Sequence, residues 1–463
     1  MKKVFVCLAM LTILLSGCSF VEKQEASTSI ELSDKGITVG GQAITSDSKQ
    51  AVYLANDIVF YKAGQDFTYG EGTVQDEHEQ SEADAHTVVH ITKPGNYVLS
   101  GTLSLGQIAI DLGKDAKADP NAVVTLVLSG VDITCKVAPA IIFYNVYECS
   151  NDDEEAATKD VDTENAGANV IVADGTENNI NGSYVAKIYK SCELSEDGTE
   201  VVDSKKLHKY DGAFYSKQTI NINGGDKGTG VLNINAENEG LNSERHLTIN
   251  GGMINITSGN DGINTNEDNI SVTTVNGGTL NIVCDGSTGE GDGIDSNGWL
   301  VINGGTITAQ ACSSSVDAGI DSDNGIYING GKVVASGNML DHIAGGSQTY
   351  VVFRFANRQK GDKTCTLKNS AGKRIGEYAP ANAFTYLIVA GSELIPDDYT
   401  FWQGKTQLSG SKTQNFEGVM PQGDRPHMPN GEQGGNVMPS GETSTTFAIA
   451  KGGNQFSNVA QAR

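Results

Sequence analysis

Leu247-Thr248-Ile249-Asn250-Gly251-Gly252-Met253-Ile254-Asn255-Ile256 reads as a strand, a corner and a second strand. Apolar and polar side chains alternate on both sides of the corner, so each strand has one face made for burial. Asn-Gly-Gly supplies residues that tolerate positive φ in a tight turn. The figure recurs in Ile220-Asn221-Ile222-Asn223-Gly224-Gly225, Thr273-Thr274-Val275-Asn276-Gly277-Gly278, Leu300-Val301-Ile302-Asn303-Gly304-Gly305 and Ile326-Tyr327-Ile328-Asn329-Gly330-Gly331, with the last Asn repeating every 26 or 27 positions. Such strands cannot satisfy their own edges. Stacking each repeat on the one before pairs every N–H and C=O with a neighbour about 4.8 Å away and buries the inward side chains in one continuous column. The expected fold is therefore all-β, a parallel β-helix solenoid.

Competing repeat folds fit poorly. A leucine-rich repeat needs Leu at fixed positions that these units lack, a propeller blade needs roughly 40 residues, and no nine-residue calcium-binding period is present. Working outward, Tyr97-Val98-Leu99-Ser100-Gly101 and Val123-Val124-Thr125-Leu126-Val127-Leu128 look like earlier, less regular repeats, so the solenoid is placed at 37–346. Segments 151–164 (acidic) and 191–209 (polar, without apolar period) read as inserted loops. Beyond it, 347–413 is expected to be a small β region that closes the last repeat, because a bare edge invites aggregation. Segment 414–443 is rich in Gly, Pro, Met, Asn and Gln and reads as disordered, with 444–463 as a tail.

The amino terminus has a different logic. Lys2 and Lys3 precede an apolar run over 4–15, too short to span a bilayer comfortably, which ends in Leu15-Ser16-Gly17-Cys18. This resembles a bacterial lipobox, so 1–17 is expected to be a signal peptide. Cys18 would be the lipidated first residue, anchoring the protein at the outer face of the cell membrane through a polar tether over 18–36. Export permits disulfides among Cys135, Cys149, Cys192, Cys284, Cys312 and Cys365. Proximity in the chain singles out Cys135 with Cys149 and Cys284 with Cys312, against buried free thiols as the alternative.

A formal net charge of −25 argues against nucleic acid as a partner, since phosphate neutralisation needs Lys and Arg gathered on one face. Much of that acidity falls into register. Glu239-Gly240-Leu241-Asn242, Asp261-Gly262-Ile263-Asn264, Asp292-Gly293-Ile294-Asp295 and Ala318-Gly319-Ile320-Asp321 recur, with Glu244, Asn266, Asn297 and Asp323 two residues on. Placing the Ile residues inward turns Asn264, Asp295 and Asp321 outward, in line along the stack. Stacked like charges repel unless solvated, diluted or bridged by a cation. Ca²⁺ suits such a ladder, taking about six to eight oxygens, whereas Mg²⁺ wants a stricter octahedron. Asp292, Asp295, Asp321 and Asp323 are the expected core ligands, supported by Asp261, Asn264 and Asp317. The alternative is turn formation on a solvated surface.

Over 219–338 the basic side chains, His246 aside, are Lys227, Arg245 and Lys332. An acidic polysaccharide would need calcium to bridge it to this face, and a neutral one would not. Trp299 follows the Asp295 segment and is the candidate sugar platform, with ordinary packing as its alternative. If the protein were a calcium-dependent polysaccharide lyase, Lys332 or Arg245 would have to supply the base; a structural surface adhesin would fit the same tether and repeat. The pattern leaves the oligomeric state open.

Taken with the lead-in Asp211-Gly212-Ala213-Phe214-Tyr215-Ser216-Lys217 and the Gly/Met/Pro/Asn-rich tail, the Ile-Asn-Gly-Gly and Asp-Gly-Ile repeats resemble those of the clostridial carbohydrate-binding β-helix lipoproteins. The resemblance runs from about residue 37 to the tail. It implies a right-handed, pectate-lyase-like helix with bound calcium that binds cellulose or polygalacturonate-type glycans of the plant cell wall. In similar sequences Lys often follows Asp-Gly-Ile. Here Asn264, Asp295 and Asp321 stand there, which favours a metal over direct ionic capture of an acid sugar.

Overall fold

The computed structural model describes residues 27–413 and 442–462. Strands dominate it. The helical elements among the described residues are one short α-helix, Gln80–Asp84, and two single 3₁₀ turns, so the protein is all-β.

Three parallel ladders carry the repeats. The first runs through Gly95–Leu103, Val124–Cys135, Ala168–Val172, Ile220–Gly224, Leu247–Ile249, Val272–Val275, Trp299–Ile302, Ile326–Ile328 and Ile343–Gly345. Past the corner, Glu177–Gly182, Val231–Ala236, Met253–Ser258, Thr279–Cys284, Thr306–Gln310 and Lys332–Gly337 form the second. A third stacks Thr87–Ile91, Gly106–Asp111, Ile141–Asn145, Gly212–Ser216, Glu239–Ser243 and Ile263–Thr265, which bridges to Ile294. Inward residues such as Ile222, Ile249, Ile263, Ile294 and Ile320 are wholly buried in one core.

The corner meets the sequence expectation in part. In four of the five corners a positive φ is taken by the second glycine alone, +92° at Gly252, +85° at Gly278, +84° at Gly305 and +80° at Gly331, whereas Gly225 of the first corner does not take one. The Asn has another task. Each side-chain amide donates to the one stacked before it, Asn250 to Asn223 and Asn276 to Asn250 at 2.9 Å, Asn303 to Asn276 at 2.9 Å and Asn329 to Asn303 at 2.8 Å.

Several boundaries need correction. The tether expected over 18–36 includes the strand Thr28–Leu32, which pairs in parallel with Tyr97–Gly101 and buries Ile30 and Leu32; two apolar residues in alternation sufficed because a ready sheet edge was waiting. Residues 191–209 are not a plain loop. Val185–Leu194 and Val201–Tyr210 form an antiparallel hairpin, whose largely polar strands disguise it. The segment 151–164 does remain irregular apart from Glu154–Ala156. In the tail expected over 444–463, Gly453–Gln461 pairs with Tyr350–Gln359 and Thr406–Lys412, so the described part of it, to residue 462, belongs to the closing sheet. That sheet has its own core, with Phe353, Tyr399, Phe401, Phe447 and Phe456 at its centre. Cys18 and most of the low-complexity segment lie outside the described residues.

All six described cysteines are free thiols, so neither Cys135–Cys149 nor Cys284–Cys312 is a disulfide. Cys149 Sγ faces the Asp162 carbonyl at 3.8 Å, in the inserted segment, while Cys135 is buried at the end of its strand. The second-ladder pairing ends at Val283 opposite Gln310, two residues before Cys312. Cys284 Sγ lies 2.9 Å from the Asp292 carbonyl and Cys312 Sγ 2.9 Å from Ser315 Oγ.

Candidate functional site

The third ladder and the turns leading into it assemble the acidic residues. Leu241 pairs with Ile263, which bridges to Ile294. This register puts Glu239, Asp261 and Asp292 in one column and Asn242, Asn264, Asp295 and Asp321 in a second, three residues along each repeat. Gly240, Gly262 and Gly293 separate the columns. A Cβ on Gly262 would stand 2.6 Å from the Gly293 carbonyl, so the neighbouring turns stack only because this residue has no side chain.

Within the first column the two aspartates each cap the next turn. The Asp292 N–H donates to Asp261 Oδ1 at 2.7 Å and the Ala318 N–H to Asp292 Oδ1 at 2.5 Å. Asp317 accepts from the Gly291 N–H at 2.6 Å and from the Ser315 hydroxyl. Above them, the buried Glu239 lies between two amides, accepting from Asn264 Nδ2 at 3.1 Å and from Asn242 Nδ2. Asn264 Nδ2 also approaches Asp261 Oδ2 at 3.3 Å. The Oδ1 atoms of Asn242 and Asn264 are buried with no hydrogen-bond partner.

Among the described residues, positive charge pairs with this cluster only at its Asp211 and Glu244 end. Lys209 Nζ pairs with Asp211 and Lys206 Nζ with Glu244, both at 2.9 Å. Among the described residues Asp261, Asp292, Asp295 and Asp321 form no ion pair. Burial, and then the charge of neighbouring acids, holds Glu239, Asp261 and Asp292 well above the usual carboxylate range. Burial followed by the charge of Asp323 pushes Asp295 up to about 7. Burial followed by Asp341 pushes Asp321 up to about 9. Such carboxyls near neutral pH either keep protons or need a cation.

In kind the donors fit a hard cation: they are oxygens, they are short of positive charge, and two amide oxygens among them are unpartnered. They do not form a finished cage, since among the described residues no three His, Cys, Asp or Glu side chains converge as a metal site. An ion there would draw on amide or backbone oxygens as well.

Of the residues singled out in the sequence, Asp261 and Asn264 are buried, Asp292, Asp295, Asp317 and Asp321 are partly buried, and Asp323 is exposed. Trp299 is half-buried at the start of its first-ladder strand, opposite Val272. Arg245 is buried and engaged by Asp152. Lys332 begins a strand whose far end, Gly337, meets Asp317, so five residues, about 16 Å of extended chain, separate it from the acids. Sequence reasoning left Glu239 and Asp341 out of the ligand set. Glu239 stood in the register and could have been taken from it. Asp341, whose Oδ2 accepts from the Ser322 N–H at 3.1 Å, follows the last regular repeat and carries no motif.

An all-β protein with parallel repeat ladders and an acidic, oxygen-rich face is thus the class that the geometry defines. The chain belongs to the family of carbohydrate-binding domain-containing proteins, whose model matches residues 85–347, more than half of the sequence. A carbohydrate-binding domain-containing protein of Acetivibrio thermocellus is 32% identical over 170 residues, 36% of this chain and 44% of that protein. The chain therefore spans less than half the length of this relative. A solved structure described as a polysaccharide lyase-like protein from C. thermocellum, a gadolinium derivative, aligns with 69% of this chain and 99% of its own at 21% identity and a TM-score of 0.37.

Proposed function

We propose that the protein is a calcium-stabilised binder of plant cell-wall polysaccharide, held at the outer face of the bacterial membrane by a lipid on Cys18. In this reading the three ladders close into a right-handed parallel β-helix of the pectate-lyase kind. Family membership supports the carbohydrate part. The observation that carries the calcium part is the set of four acids Asp261, Asp292, Asp295 and Asp321, low in countercharge and each raised. Asp292, Asp295, Asp321 and Asp323 would supply most of the oxygens, with Asp261, Asn264 and Asp317 beside them. Bound calcium would neutralise the row and keep the repeats in register at its edge. It would also let a pectic carboxylate approach a face that otherwise repels it.

The test is retention of the protein on pectic and cellulosic material with calcium and with chelator, alongside calcium analysis of the purified chain. Retention that chelator weakens, with metal present in stoichiometric amount, is the expected result. Failure to hold either polymer in calcium sinks the binding role. A chain that takes up no calcium sinks the metal role.

A further inference from the structure

The second half of the inserted segment, Lys159 to Glu164, lies over the outer face of the first ladder and leaves a groove beneath it. Thr163 ties it down: its Oγ1 lies 2.8 Å from Thr248 Oγ1, and its carbonyl accepts from Asn221 Nδ2 at 2.7 Å. The groove encloses about 600 Å³. Its floor is the outward row Asn221, Thr248, Thr274 and Val301, one residue per repeat in pairing register. Tyr327 continues that row opposite Val301. One wall is the amide ladder from Asn250 to Asn329, and the other is the strap itself.

We infer that this groove binds a neutral, hydroxyl-rich polysaccharide strand running along the stack, an inference that rests on the carbohydrate-binding reading. Three features carry it. First, Asn221, a residue of the groove floor that is 4% exposed, spends its amide hydrogens on Thr163 and on Asn169 Oδ1 at 3.1 Å, and leaves Oδ1 buried with no partner beneath the strap contact. A buried acceptor of this kind is costly unless a donor reaches it, and a sugar hydroxyl is such a donor. Second, the ladder spends one N–H of each Asn on its neighbour. The other N–H and a carbonyl lone pair stay free to face a ligand, at the fixed interval of about 4.8 Å set by strand stacking. A polymer whose hydroxyls repeat along an extended chain is matched by that spacing.

Third, charge selects against an acidic chain. Asp160, Asp162 and Glu164 line the strap against the single cation Lys159, which is paired with Asp160 at 2.6 Å. Lys159 Nζ also lies 5.3 Å from the centre of the Tyr327 ring. Displacing this lysine frees the ring as a stacking surface at the end of the row. The groove is separate from the acidic columns, which stand on the third ladder.

The experiment measures binding of cellohexaose, and of an oligogalacturonide as its charged counterpart, by calorimetry on the full chain. Thr274→Arg plugs the groove floor, and Tyr327→Ala removes the ring from an outward position that leaves the core intact. Val202→Ser, on the exposed hairpin, is the control. Cellohexaose binding by the wild type, weakened roughly tenfold or more in both groove variants at unchanged melting temperature, supports the assignment. If Thr274→Arg proves unstable, Tyr327→Ala decides alone. Groove variants that bind like the wild type overturn the groove while leaving the protein a glycan binder. Binding of oligogalacturonide but not of cellohexaose overturns the neutral class. No binding of any glycan by the wild type overturns the carbohydrate reading itself.

Discussion

Asp295 and Asp321 are ordinary carboxyls in an unusual setting, and their protonation ties stability to pH. Their pKa values rise on folding, from 3.8 to about 7 and about 9. The folded chain therefore holds more protons than the unfolded one between those limits, and metal-free stability falls as pH rises through that window. It is complete only below about pH 4. Thermal melting in chelator should show a midpoint that drops steadily from mildly acidic to alkaline pH, and excess calcium should flatten the drop. A metal-free midpoint that instead climbs with pH would contradict the raised carboxyls. Asp295→Asn removes one charge from the row without changing its shape. The metal-free variant should then be more stable than the parent at pH 8, by about 1 kcal/mol or more, and its gain on adding calcium should shrink. Much of this site was legible, because Ile263, Ile294 and Ile320 point inward and alternation does the rest. Depth was not. A strand pattern gives the face of Asp261 and Asn264 but not that neighbouring turns bury them, and Asp341 reaches the row only through an irregular last turn.

At the scale of the element, the repeat owes its regularity to two devices at one corner. From Gly252 onward the second glycine takes a conformation that L-residues avoid, and the Asn before the pair links its amide to the repeats on either side. Gly278 has φ +85°, and a Cβ there would stand 2.7 Å from the Gly252 carbonyl. Gly278→Ala should therefore cost at least about 2 kcal/mol, from backbone strain and crowding together. Asn276→Ala breaks two side-chain bonds on an exposed rail and should cost roughly 1 to 2 kcal/mol. Urea unfolding of both variants checks the order, and a glycine effect smaller than the Asn effect would mean the corner relaxes freely. The repeat of 26 or 27 residues made these strands readable. The hairpin from Val185 to Tyr210 escaped because its strands pair mainly with each other and carry few apolar residues, so no period betrays them.

Across the whole molecule, the exposed end of the stack is closed by a sheet that the chain completes last. Phe384–Ala390 pairs antiparallel with Lys332–Gly337, the final strand of the second ladder, and passes the edge on to Tyr350–Gln359. Gly453–Gln461 then joins Tyr350–Gln359 to Thr406–Lys412. Phe447, Ile449, Phe456 and Val459 enter the aromatic core around Phe353 and Phe401, whose rings stack at 4.1 Å. Each such side chain contributes about 1.5 to 3 kcal/mol when buried. Four of them together rival the whole stability of an ordinary domain. A chain ending at Thr413 should therefore lose the closing sheet. The parallel ladders, whose contacts are with neighbouring repeats, should keep much of their structure but offer an open edge to other molecules. Calorimetry should show the closing-sheet transition gone and the ladder transition retained, and light scattering should show association that rises with concentration. Phe401→Ala separates core from edge: it should lower the closing-sheet transition by about 3 to 5 kcal/mol while leaving the final strand in place and the chain less prone to associate than the truncation. If truncation and Phe401→Ala associate alike, the aromatic core rather than the last strand guards the edge.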